Sequence, residues 1–268
     1  MGLFGRDYRV LTQEERKQWN EVLEREKYNE DGSRLAIGKR NLFREYPKAA
    51  RYYDKLFPNN YLDIVDLQDN EKLQYLNEGF KTLLDSKCNE QEILKYIKDN
   101  QAYYIIGSIF LQYNFGHHEA YIFPEFQLST NYRVDYLLVG RNSGGYEFIF
   151  IELEHPYGSV TKQDGNLGEV FRKGIEQTKD WKRWLDRNYQ SLRENFDNNI
   201  KEHDRLPSEF IEYDSTRIHY VVIAGRRKNF KENTYCIKRE YQKDQNILLL
   251  HYDNLLDFSK NIIGKLSY

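Results

Sequence analysis

The sequence predicts an α/β (α+β) fold, a central mixed sheet flanked by helices and preceded by a mostly helical N-terminal region. Three observations lead there. Two β-rich runs, residues 132–140 and 145–154, are joined by the turn-forming segment Arg141-Asn142-Ser143-Gly144-Gly145, with Phe123-Pro124-Glu125-Phe126-Gln127 before them. Two later runs, residues 217–225 and 247–251, are short and rich in Ile, Val and Leu, as buried strands are. Helical periodicity brackets the runs, which is the layering that covers both faces of a sheet.

Residues 1–88 read as helical and highly charged. Thr12-Gln13-Glu14-Glu15 starts a helix with acids at the positive end of its dipole, and Trp19, Val22 and Leu23 form its apolar stripe. Asp31-Gly32-Ser33 breaks it. A second helix is expected over 41–56 with a break at Pro47, then a turn at Pro58-Asn59-Asn60, then a third helix over 71–84. Lys39, Arg40, Arg44, Lys48 and Arg51 read as a solvated face, with phosphate contact the alternative.

Asn89-Glu90-Gln91-Glu92 opens a longer helix, which Ile93, Ile97, Ala102, Ile105 and Ile106 carry to about Tyr113, and Gly116 ends it. His117 and His118 are neighbours, and neighbours on a strand face opposite ways, so they are poorly placed to share a metal. After the hairpin, His155-Pro156 stops the strand because proline cannot continue a ladder. A polar loop follows, with Asn166 as candidate N-cap of a helix over 167–195. Val170, Phe171, Ile175, Trp181 and Leu185 lie on one face of that helix, so Trp181 and Trp184 read as packing residues. Residues 198–215 read as an irregular insertion. A terminal helix after residue 251 packs Leu256, Phe258 and Ile262. The expected organisation is a mostly helical N-terminal region over 1–88 and a second domain over 89–268.

Composition sets the bounds. The chain has 268 residues, 40% of them apolar and 15% aromatic, enough for a sizeable core. Its net charge of −2 gives no global pull toward nucleic acid, so any such contact needs a local basic patch. Cys88 and Cys236, the two cysteines, exclude a disulfide framework and a cysteine zinc cluster and suit a reducing compartment. Met1-Gly2-Leu3-Phe4-Gly5-Arg6-Asp7 has no apolar signal region, and the longest apolar stretch is too short to span a bilayer. A soluble cytoplasmic protein with no membrane partner is expected.

The chemistry concentrates in the hairpin. Side chains alternate along a strand, so Asp135 shares a face with Leu137 and Val139, and Glu152 and Glu154 share one with Phe148 and Phe150. A carboxylate in such a setting is costly unless it is paired or bound to a metal. Three acids converging at the end of a hairpin suit a hard cation such as Mg²⁺.

An acid on one central strand followed by E-x-(acid or Lys) on the next resembles the PD-(D/E)xK nuclease superfamily. The resemblance implies a PD-(D/E)xK-like central mixed sheet and a metal-dependent phosphodiesterase. Asp135 and Glu152 match its metal-holding acids. Gln177 with Trp181 matches a glutamine and aromatic on the following helix. A narrower resemblance, over about residues 90–265, is to the nuclease domain of the Shedu anti-phage defence family. It rests on Arg133-Val134-Asp135, Phe150-Ile151-Glu152-Leu153-Glu154-His155-Pro156, Gln177-Thr178-Lys179-Asp180-Trp181, Ile223-Ala224-Gly225-Arg226 and His251-Tyr252-Asp253-Asn254-Leu255-Leu256. Glu154 departs from the pattern, standing where a lysine is usual. A carboxylate there adds a metal ligand or leaves the site inactive, and the missing cation must come from elsewhere, with Lys173 and Lys162 as candidates.

These resemblances imply a Mg²⁺- or Mn²⁺-dependent endonuclease acting on double-stranded DNA, homo-oligomeric, in bacterial defence. Asp135, Glu152, Glu154 and Glu125 are the candidate metal ligands, and Glu154 or Gln177 orients the attacking water. Arg172, Lys173, Lys182, Arg183, Arg187, Arg226, Arg227 and Lys228 are the candidate phosphate contacts, with a plain solvated turn the alternative for the last three. Two other readings compete: a catalytically inactive nucleic-acid-binding module that keeps the nuclease fold, and a protein-interaction module whose acids are structural.

Overall fold

The structure, a computed structural model, describes residues 3–42 and 45–268. It contains two compact units, residues 3–61 with 198–205, and residues 62–197 with 206–268.

In the first unit, helix α1 (Gln13–Arg25) begins where expected. The Thr12 hydroxyl accepts from the Glu15 N–H at 3.2 Å, and the Glu15 carboxylate accepts from the Thr12 N–H at 2.9 Å. Of the helix expected over 41–56, α2 (Lys48–Tyr53) is the part seen, with Pro47 at its N-cap. Proline disfavours helix at the residue before it, which explains the late start. Tyr8, Tyr52 and Tyr61 cluster in the core, with Tyr52 tilted 4.4 Å from Tyr8 and edge-on 5.3 Å from Tyr61 between ring centroids. The basic residues here are engaged within the unit. Lys39 pairs with buried Glu26 at 3.1 Å, Arg40 with Glu30 at 3.2 Å, and Lys48 sits over the Phe4 and Tyr52 rings. Arg44, Met1 and Gly2 lie outside the described residues.

The second unit holds the sheet. Helices α3 (Asn70–Asp85), α4 (Glu90–Asp99) and α5 (Tyr104–Gly107) lead into strands β1 (Glu119–Gln127), β2 (Arg133–Asn142) and β3 (Gly145–Leu153). Helices α6 (Glu169–Asn188) and α7 (Leu192–Asp197) precede β4 (Ile218–Ile223), and α8 (Glu232–Gln245) precedes β5 (Ile247–Leu250) and α9 (Tyr252–Ile262). The strands lie in the order β1-β2-β3-β4-β5, antiparallel across the first three and parallel across the last three. The mixed sheet flanked by helices is the predicted fold class. α3, expected in the N-terminal region, packs on α4 and α9 in this unit.

Three expectations need correction. The helix from Glu90 does not reach Tyr113. It ends at Asp99, where Gln101 turns left-handed at φ +50°, its N–H meets the Lys98 carbonyl at 3.1 Å, and the Ala102 N–H meets the Ile97 carbonyl at 2.8 Å. This is a Schellman stop, here without the glycine that signals it in sequence. The helix expected over 167–195 is α6 and α7 with a 3₁₀ turn between them, and Gly168, not Asn166, is its N-cap. Helix α8 was not foreseen. Parallel strands need a crossover, but Thr234 is its one buried residue, so it has no apolar stripe to read.

Among the described residues no helix is long and apolar enough to cross a membrane. The sheet packs without slack at Gly140 on β2. A Cβ there would lie 2.6 Å from a Phe110 ring carbon, 2.7 Å from Phe115 and 2.9 Å from the Gly116 Cα. Gly140→Ala is expected to lower unfolding free energy by about 1–3 kcal/mol, read as a lower midpoint in urea.

Candidate active site

The hairpin register brings the acids together. Tyr136 pairs with Ile151, and one step further along the antiparallel strands Asp135 comes opposite Glu152. The Asp135 Oδ2 accepts the Leu153 N–H at 2.7 Å, so this side chain is fixed to the β3 backbone between the two glutamates. Glu152 and Glu154 are 5% and 2% exposed. Gly174 of α6 lets the helix close over them. A Cβ at that position would lie 3.2 Å from the Glu154 Cγ and 2.5 Å from Val222, the β4 partner of Glu152.

Burial and mutual repulsion push these carboxyls toward the protonated form. Asp135 rises from 3.8 to about 7, through burial first and then the charges of Glu90 and Glu154, against the favourable bond from Leu153. Glu152 is pushed up to about 10 by burial, Asp135, Glu154 and Glu90. Burial also raises Glu154, although Lys173 opposes it. One oxygen on each glutamate, Glu152 Oε2 and Glu154 Oε1, is buried with no hydrogen-bond partner.

Lys173, one of the two cations expected to replace the strand lysine, reaches from α6 to place its Nζ 2.9 Å from Glu154 Oε2. Lys162 stands in an exposed turn closed by its own N–H to the Asn166 carbonyl at 2.8 Å, and its charge is felt by Asp164. Gln177 is half-buried one turn beyond Lys173. Glu125 is exposed at φ +50° and pairs with Arg133 at 3.2 Å. Glu90 was missed. It is the first residue of α4, half-buried, and its charge acts on Asp135, Glu152, Glu154 and Lys173. Its sequence signal was ambiguous, since an acid in a first turn is ordinary.

The segments behind the Shedu resemblance frame this cluster. The Glu154 N–H donates to the Ile223 carbonyl at 2.8 Å, and the fully buried Tyr252 hydroxyl donates to the Glu154 carbonyl at 2.8 Å. Arg226 uses all five donors within the protein. Its Nε and Nη2 hold Asp253 at 2.8–3.1 Å, its Nη1 meets the Leu84 carbonyl and the Tyr157 hydroxyl, and its Nη2 also meets Asp85. An Arg226 so engaged is a clamp and has no donor left for a phosphate. His251 caps α9, and burial lowers it to about 4, so it is neutral near pH 7. Trp181 is fully buried.

Of the other basic residues expected at phosphates, Arg172, Lys182 and Arg187 are exposed on α6, and Arg183 pairs with Asp180. Arg227 pairs with Asp257, and Lys228 lies over the Tyr157 ring.

A mixed five-stranded sheet flanked by helices, with an aspartate and a glutamate opposed on neighbouring strand ends, makes this an α/β protein. The family model described as Shedu protein SduA, C-terminal, matches residues 87–256, and the chain belongs to that family of anti-phage defence components. No curated protein matches the chain.

Among the described residues no three His, Cys, Asp or Glu side chains form a ready-made metal cage. The donor set nevertheless fits a hard cation. Two buried carboxylate oxygens lack partners, Asp135 stands opposite, and Mg²⁺ takes few protein oxygens and keeps several waters.

Two outcomes follow for the cation-free protein. A carboxyl whose pKa is raised on folding adds stability that is complete below its unfolded value and is lost as pH climbs through its folded value. Thermal melts should therefore fall as pH rises from 3.8 to about 7 through Asp135, with the Glu152 limb extending toward 10. Asp135→Asn should flatten the first limb. Arg226→Ala strips Asp253 of its partner and should cost about 3 kcal/mol in urea unfolding.

Proposed function

We propose that this chain is a metal-dependent DNA endonuclease of anti-phage defence that hydrolyses phosphodiester bonds, with Mg²⁺ or Mn²⁺ as cofactor. The observation that carries the reading is the pair of unpartnered, buried glutamate oxygens on side chains that repel Asp135, with Lys173 seated on Glu154. A buried, unsatisfied carboxylate is too costly to keep for stability alone.

In this reading Asp135 and Glu152 would hold the cation, with Glu154 a further ligand through Oε1. The cation, when bound, would lower the pKa of an attacking water and offset charge developing at phosphorus. Asp135 is kept in place by the Leu153 N–H, so its ligand geometry is set before substrate arrives. Lys173 brings from α6 the positive charge that the strand position, occupied by Glu154, lacks. A flexible ammonium at that point can orient water beside Glu154 and meet an anionic phosphate. Glu90 acts on the same acids, and it or Gln177, one turn beyond Lys173, would steer the water. Double-stranded DNA is the proposed substrate, reached through Arg172, Lys182 and Arg183 on α6, and two copies of the chain would cut its two strands.

Glu154 in the lysine position favours a second reading, an inactive nucleic-acid-binding or interaction module. Plasmid and linear DNA cleavage with Mg²⁺ or Mn²⁺ separates the two. Wild type is expected to cut. Asp135→Ala and Glu152→Ala should abolish cutting, Lys173→Ala should slow it by about 10²-fold, and Lys162→Ala should leave it unchanged. Failure of wild type on both substrates, with the fold intact, would leave the second reading standing.

A further inference from the structure

Tyr157, three residues beyond Glu154, forms one wall of an open cleft of about 490 Å³. Four cations and two carboxylates line it: Lys87, Arg226, Arg227 and Lys228 against Asp85 and Asp253. The charges do not cancel. Arg226 takes both carboxylates, and Arg227 is paired with Asp257 outside the lining. Lys87 and Lys228 remain, and among the described residues neither has a carboxylate at ion-pair distance. Lys228 lies over the Tyr157 ring, its Nζ 5.9 Å from the centroid, and the Tyr157 hydroxyl is held by Arg226 at 2.8 Å. The wall beneath the lysine is therefore rigid.

Lys87 is unusual in its backbone. It follows the last turn of α3 at φ +61°, a left-handed conformation that glycine adopts at less cost. Strain at an exposed lysine is tolerated where the side chain gains something, and this one lines the cleft.

We propose that this cleft binds a backbone phosphate of the nucleic-acid strand that crosses the carboxylate site. Lys87 and Lys228 supply the charge, and Tyr157, fixed by Arg226, supplies the floor. The inference rests on the nucleic-acid reading above and adds a second contact point to it. Glu154 and Tyr157 are separated by three residues, so their Cα atoms are no more than ~11 Å apart. Phosphates on one strand advance about 3.4 Å along the axis per nucleotide. The cleft would therefore hold a phosphate within about three nucleotides of the one attacked. Lysines are point charges, so the contact would position the strand without reading its sequence.

The test is anisotropy of a short labelled duplex across a salt series, in chelator so that nothing is cut. Each lysine–phosphate contact adds about 0.9 to the slope of log affinity against log salt. The double variant Lys87→Gln/Lys228→Gln should weaken binding about tenfold at low salt and make the slope shallower by about 1 to 2. Lys87→Gly keeps the left-handed backbone and removes the charge. It should melt no lower than wild type while binding as weakly as Lys87→Gln. Wild-type binding with an unchanged slope in the double variant would overturn the cleft and leave the nuclease reading intact. Absence of duplex binding by wild type, in chelator and with Ca²⁺ in place of Mg²⁺ alike, would remove both. Loss of inorganic phosphate or mononucleotide binding in the double variant, with the duplex slope unchanged, would overturn the strand contact in favour of a small phosphorylated ligand.

Discussion

Burying Glu152 and Glu154 at the end of β3 is the constraint around which the second unit is arranged. Two carboxylates nearly removed from water, with Asp135 opposite, repel each other in a setting that screens little. The surrounding structure answers this in part. Leu153 donates its N–H to Asp135, and Lys173 donates to one Glu154 oxygen. Glu152 Oε2 and Glu154 Oε1 are left without a partner, and burial favours the protonated state of both side chains. Evolution of a merely stable sheet would place apolar residues at these positions, as it does at Phe148 and Phe150 on the same face.

The clamp just beyond the end of β4 explains how so uncomfortable a site stays in one geometry. Arg226 ties the end of β4 to α9 through Asp253, to the loop after β3 through Tyr157, and to the end of α3 through Leu84 and Asp85. Tyr252 adds a hydrogen bond from α9 to the Glu154 backbone. The end of β4, through the Ile223 carbonyl, and α9, through Tyr252, thus both hold the backbone of Glu154, the residue that carries the departure from the lysine pattern. Gly174 completes the arrangement by letting α6 approach closely enough for Lys173 to reach.

How much of this could be read beforehand differs residue by residue. The opposition of Asp135 and Glu152 was legible because strand alternation and a tight turn set the register almost alone. Lys173 was legible as one of two possibilities, since helical spacing put it beside Gln177, but Lys162 could be set apart only by where the loop folds. Glu90 was hidden because an acid at N1 has a complete local explanation in the helix dipole. Arg226 was misjudged for a similar reason. Three basic residues after a strand look like a phosphate patch, and nothing nearby in sequence announces Asp253 or Asp85 as partners. Helix α8 escaped because its crossover duty comes from sheet topology, with one buried residue to mark it.

The sequence by itself determined the sheet-and-helix class, the hairpin that opposes the acids, and the family to which residues 87–256 belong. Those properties depend on short-range periodicity and on local strings of residues, which survive without the rest of the chain. The tertiary structure decided which charges meet. It placed Lys173 on Glu154, brought Glu90 to the cluster, committed Arg226 to the scaffold, and left Lys87 and Lys228 unpaired in one cleft. Electrostatic energy depends on distance in space and on burial, and neither quantity is set by spacing along the chain.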